Sequence, residues 1–205
     1  MRGLLVLSRF IDSINNWVGR AVAWVILIVV IVSSTNAVFR KAFDLSSNAW
    51  LELQWYLFGA IFLLAAGFTL LNNEHVRVDI LSSRLPEKGQ VAVEIFGVLV
   101  LMLPVCMLVL WLSFPMLMDS YTTHEMSSNA GGLVRWPVKL LIPVGFILLV
   151  MAGISHLIKC IGFLAGACPN PTRRNEAKSA EELLAEDILD VADAGHPQQE
   201  QEKGR

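Results

Sequence analysis

Charge is scarce in this sequence, and what there is stays out of its long apolar runs. Of 205 residues only 17% are Asp, Glu, Lys or Arg, and the mean hydropathy is +0.57, values that belong to membrane proteins more than to soluble domains. Lys and Arg total 16 against 18 acids, and no basic stripe stands clear of the apolar runs, which excludes a nucleic-acid surface. Cysteine is equally sparse. Cys106, Cys160 and Cys168 lie too far apart for a metal knuckle or a C-x-x-C redox centre and read as small apolar fillers with reduced thiols. The four histidines do not form the paired intramembrane set that a bis-histidine haem subunit needs, because His75, His124 and His196 all fall outside the apolar runs. No cofactor, no metal and no catalytic residue is expected, and the chain is not expected to be an enzyme. A secretory signal is missing as well: the apolar stretch before Arg9 is only about five residues, short of the 7–15 such a signal uses, so the N-terminus is expected to stay on the mature protein.

What the chain does have is four runs free of charged side chains, about 21–39, 53–73, 95–118 and 140–158, each close to the roughly 20 residues that cross a bilayer as a helix. Their apolar character continues all the way round, as expected where lipid or other spans cover every face. The fold class is therefore an all-α integral membrane protein with four transmembrane helices. Residues 1–20 form an N-terminal cytoplasmic or interfacial segment, 21–165 the four-helix domain, and 166–205 a cytoplasmic tail with a short acidic helix and a disordered end. Lys and Arg set the orientation, since cytoplasmic segments retain positive charge. Arg2, Arg9 and Arg20, then Arg77, Arg84 and Lys88, then Lys159, Arg173, Arg174 and Lys178 outweigh Arg40 and Lys41 in the first connector and Arg135 and Lys139 in the third. Both termini should face the cytoplasm. Leu4, Leu7, Ile11, Ile14 and Trp17 on one side, with Arg9, Asp12, Ser13 and Asn16 on the other, fit an amphipathic helix in the inner interface; a plain extension of the first span fits as well. Pro104, near the middle of the third span, is expected to kink it.

An intramembrane charge costs on the order of 2.5–3.5 kcal/mol by insertion scales, so a chain that moves ions keeps a few where they work. None stands in mid-span here. Glu52 and Gln54 lie near the outer end of the second span, and His156 near the inner end of the fourth with no titratable companion expected. No repeat relates the two halves, so the paired broken helices of secondary carriers are missing too. The residues alone describe a membrane subunit that holds a partner.

The connectors narrow this further. "EHVRVDILSSRLP" between the second and third spans, "ELQWYLFGAIFLLAAGFTL" before it and "EMSSNAGGLVRWPVKLLIPVGF" through the third connector into the fourth span resemble the small membrane subunit of tripartite ATP-independent periplasmic (TRAP) transporters, the DctQ-like family. One departure is Val134, where members often carry proline in a G-L-P-x-W pattern.

The resemblance implies a sodium-coupled uptake system of the bacterial inner membrane in three parts. A soluble periplasmic protein captures an organic acid or related solute, a large permease subunit carries it, and the small subunit forms a stable complex with the permease as scaffold. On that footing His75, Arg77 and Asp79 of the charged connector, with Glu52 and Gln54, are candidates for the large-subunit interface. Arg40, Lys41, Glu125 and Arg135 are candidates for transient contact with the binding protein. The other reading of the same residues is a membrane anchor or assembly subunit of a different complex.

Overall fold

The computed structural model describes residues 2–43, 47–72, 86–166 and 168. The described residues form four helices long and apolar enough to cross a membrane: α1 (Arg2–Phe43), α2 (Asn48–Leu71), α3 (Glu87–Thr122) and α4 (Trp136–Leu164). Among the described residues there is no strand, only an isolated antiparallel bridge between Met126 and Val134. The charged connector with His75, Arg77 and Asp79, and the tail from 169 onward, lie outside the described residues.

At 1.5 Å per residue, the 42 residues of α1 extend about 63 Å, well past the ~40–45 Å of a bilayer with its headgroups. No break separates residues 2–20 from the span: "SINNWVGRAVAW" has no proline to remove a backbone donor, and its Asn and Gly residues are carried within the helix. Two of the described helix ends carry charge of the favourable sign. Arg40 and Lys41 sit in the last turn of α1 and Glu87 in the first turn of α3, each stabilising against the helix dipole.

α4 is the hub. It packs on α1, α2 and α3, and α1 packs on α2, but among the described residues α3 touches neither α1 nor α2. The burial pattern follows: nine residues of α4 are buried, from Pro143 to Gly162, whereas α2 buries only Glu52 and Gly67. Without a hydrophobic driving force inside lipid, helices associate where small residues let backbones close in. A Cβ on Gly145 would stand 2.7 Å from the Leu63 carbonyl oxygen, and one on Gly67 3.0 Å from that of Leu148, so α2 and α4 meet backbone against backbone.

Pro104 is accommodated by a change of helix type. Residues Gly97–Met102 form a π-helical turn in which the Leu103 amide donates to Val98, five residues back. The wider turn makes room for a proline ring that would otherwise clash with the carbonyl four residues earlier. Met102 from this turn rests over Gly153 of α4, where a Cβ would collide with its methyl group.

Candidate functional site

Polar side chains gather at two levels of the molecule, one at each end of α4. Trp136 and His156 are twenty residues apart, about 30 Å along a helix axis, which is the thickness of the hydrocarbon layer.

The first level is built by α2 and the α3–α4 loop. Asn48, Glu52 and Tyr56 recur every fourth residue and so share one helical face. Asn48 Nδ2 donates to the Ala130 carbonyl at 2.9 Å, and Tyr56 Oη to the Val134 carbonyl at 3.1 Å. Between them the Glu52 carboxylate, only 4% exposed, accepts from Ser127 Oγ, from Asn129 Nδ2 at 2.9 Å and from the Leu133 amide at 2.7 Å. The loop folds to meet this face. The Gly132 amide closes a turn on the Asn129 carbonyl at 3.0 Å, and Gly131 takes φ 71°, a conformation that favours glycine. Gly132 must also lack a side chain, since a Cβ would overlap Ser127 and stand 2.9 Å from Glu52 Oε1.

The bridge beside it is held by the amides of Ser127 and Arg135, which donate to Leu133 and Glu125, and not by the amide of Val134. Residue 134 thus supplies no donor to the bridge, so proline there, as the G-L-P-x-W pattern would have it, would remove no bond from it. Glu125 pairs with Lys139, and this ammonium holds the loop carboxyl below the usual carboxylate range. Arg135 flanks a cavity of about 250 Å³ that Trp55, Tyr56, Val138 and Lys139 also line.

The second level joins α4 to α1 and α3. Ser8 and Asp12 of α1 face Ser155 and Lys159 of α4, two residues four apart against two residues four apart. Ser8 Oγ lies 2.7 Å from Ser155 Oγ, Ser155 Oγ donates to Asp12 Oδ1 at 2.5 Å, and Lys159 Nζ pairs with Asp12 Oδ2 at 2.6 Å. One turn deeper, Asn15 is buried over Gly67 and donates to the Ile11 carbonyl at 3.1 Å. On the opposite side His156, 3% exposed, meets Glu94 of α3 at 2.7 Å. The expectation that His156 has no titratable companion is therefore corrected. Its partner comes from a helix 62 residues away in sequence, beyond the reach of any local pattern.

Comparison with known families decides what kind of chain carries these two clamps. The family described as "Tripartite ATP-independent periplasmic transporters, DctQ component" matches over residues 26–162, two thirds of the chain and all four spans in part or whole. The chain belongs to the DctQ family. Neither a curated protein nor a solved structure gave a match. DctQ is a transporter component and not an enzyme family; the matched region begins after Asp12 and takes in Glu52, Glu94, Ser155, His156 and Lys159.

Of the interface candidates in this DctQ chain, Glu52 turns both carboxylate oxygens onto its own loop, while Gln54 is half-buried on the same helix. Glu125 and Arg135 come together through the backbone bond noted above. Arg40 and Lys41 are exposed at the C-terminal end of α1, on the same side of the molecule, with no bond to that loop. Sequence reasoning missed Asn48 and Tyr56 as grips on the loop; their spacing of four from Glu52 was the available signal. It also missed the pairing of Ser8 and Asp12 with Ser155 and Lys159, for which each half shows the same spacing but neither names the other.

Proposed function

We propose that this DctQ component is the fixed scaffold of a sodium-coupled TRAP transporter in the bacterial inner membrane, with both termini cytoplasmic, and that it neither binds nor conducts the solute. The observation that carries this reading is where the charged groups go. Each of Glu52, Glu94, Asp12, His156 and Lys159 is spent tying one helix of this chain to another element of the same chain, at the two ends of α4. Side chains used in this way stiffen a support; a cargo route needs polar groups left free to exchange partners.

The large permease subunit takes uncovered apolar flanks of the membrane spans beyond the first half of α1, with the charged connector at His75, Arg77 and Asp79 fixing register more than affinity. Gln54 contributes to that interface directly, and Glu52 through the loop it holds. On the opposite face the loop with Glu125 and Arg135, together with Arg40 and Lys41, meets the periplasmic binding protein during delivery of an organic acid or related solute.

Reconstitution tests the whole reading. Vesicles with this chain alone should show no uptake, and vesicles that also contain the large subunit and receive the binding protein should accumulate solute down a sodium gradient. Uptake by the isolated chain would end the scaffold reading. Charge reversal at Arg77 and Asp79, singly and then together, tests the register: co-purification with the large subunit should fall in each single variant and recover in the double.

A further inference from the structure

The first half of α1 presents three different sides. One is buried: Ser8, Ile11 and Asn15 face α2 and α4, with Asp12 held by Lys159. The second is polar and exposed, with Arg9, Ser13 and Arg20 on one line. Eleven residues at 3.6 per turn make just over three whole turns, so Arg9 and Arg20 point nearly the same way, about 16 Å apart. The third is a line of large apolar side chains beside it: Val6, Phe10 and Trp17 are 61%, 64% and 67% exposed.

This is the reverse of a surface helix that buries its apolar side in its own protein. The apolar line points away from the chain and the polar residues Ser8, Asp12 and Asn15 point inward, so none of the described residues covers the apolar line. α1 is some 20 Å longer than the membrane is thick. The surplus lies at this end, and it must run obliquely through the headgroup layer if Phe10 and Trp17 are to stay out of water. Asp12 is the only carboxylate between residues 2 and 20, and Lys159 and Ser155 already occupy it. Arg9 forms no ion pair among the described residues, and the Arg20 Nε is only 3.4 Å from the Asn16 carbonyl of its own helix. Two guanidinium groups with no ion pair among the described residues thus lie beside an exposed apolar line.

We propose that the N-terminal half of α1 is an anionic-phospholipid site. Arg9 and Arg20 receive lipid phosphates of the leaflet at that end, Phe10 and Trp17 enter the acyl chains beneath them, and the bound lipids set the tilt of α1. The site goes beyond the transporter reading and needs only that the chain spans a membrane.

Thermal unfolding of the purified full chain in neutral detergent tests it, with phosphatidylglycerol or phosphatidylcholine added at equal amounts. Phosphatidylglycerol should raise Tm by several degrees more than phosphatidylcholine. Arg9→Gln with Arg20→Gln should abolish most of that difference, and Arg9→Lys with Arg20→Lys should keep most of it. Equal gains from the two lipids, or a difference that survives the glutamine pair, would overturn the site. Nitroxide labels at Phe10→Cys and Ser13→Cys, in a background with the native cysteines replaced, give a second reading independent of stability. Phe10→Cys should be reached by oxygen dissolved in the bilayer and Ser13→Cys by a water-soluble nickel complex. If both labels are shielded from both probes only when the large subunit is present, a protein partner covers this face and the lipid assignment is wrong.

Discussion

If α2 and α4 meet backbone against backbone, a single methyl group between them should be felt. Gly145→Ala places a Cβ 2.7 Å from the Leu63 carbonyl oxygen and 2.8 Å from Leu63 Cβ, where ordinary contact is about 3.5–4.0 Å. The helices must then part by something near 1 Å, an overpacking that costs about 1–3 kcal/mol. The same substitution gains up to about 1 kcal/mol of helix propensity. A control separates the two effects: Gly3 also sits in a helix, but a Cβ there meets nothing within 4 Å, so Gly3→Ala carries the propensity gain without the clash. The difference between the variants should therefore be about 1–3 kcal/mol, or several degrees in Tm at roughly 2–4 °C per kcal/mol for a chain of this size. Thermal unfolding in a mild detergent reads it directly. Should Gly145→Ala be as stable as Gly3→Ala, the close α2–α4 approach is wrong, and with it the placement of the Glu52 face beneath the loop.

Glu52→Ala should free the α3–α4 loop, so a Ser128→Cys label site should react faster with a water-soluble maleimide in that variant than in an otherwise identical chain; an unchanged rate would mean the carboxylate does not hold the loop. Val134→Pro should be tolerated and can stabilise by about 0.4–1 kcal/mol through the unfolded chain, since residue 134 supplies no amide to the bridge; marked destabilisation would show that its backbone is incompatible with proline. Glu94→Gln and His156→Gln, made singly and together, should show a coupling near 0.6 kcal/mol and not above about 1.7, the range of interhelical hydrogen bonds in membranes, and zero coupling would dissolve the α3–α4 clamp. The Glu125 carboxyl is held below its ordinary value of 4.5 by Lys139, so its contribution is present above that pH and is lost as pH falls through the lower folded value. Wild type should accordingly be more stable than Glu125→Gln at pH 7, and the two should converge well below pH 4.5.

The four spans were determined by the sequence itself, because crossing a bilayer is a one-dimensional requirement: enough consecutive apolar residues, with backbone bonds closed inside each helix. The family was legible for a related reason, since its connectors are short and contiguous. The clamps were not. Glu52 is visible as an oddly placed carboxylate, but its three donors lie 75 to 81 residues away. His156 reads as a solitary interfacial histidine until α3 brings Glu94 to it. The first twenty residues show the same limit from the other side. Their period is helical and amphipathic in sequence, yet which side is covered depended on Ser155, Lys159 and Gly67 arriving to accept Ser8, Asp12 and Asn15. Periodicity reports which residues share a face. Only packing decides whether that face meets protein, lipid or water, because the energy that settles it belongs to atoms on other helices.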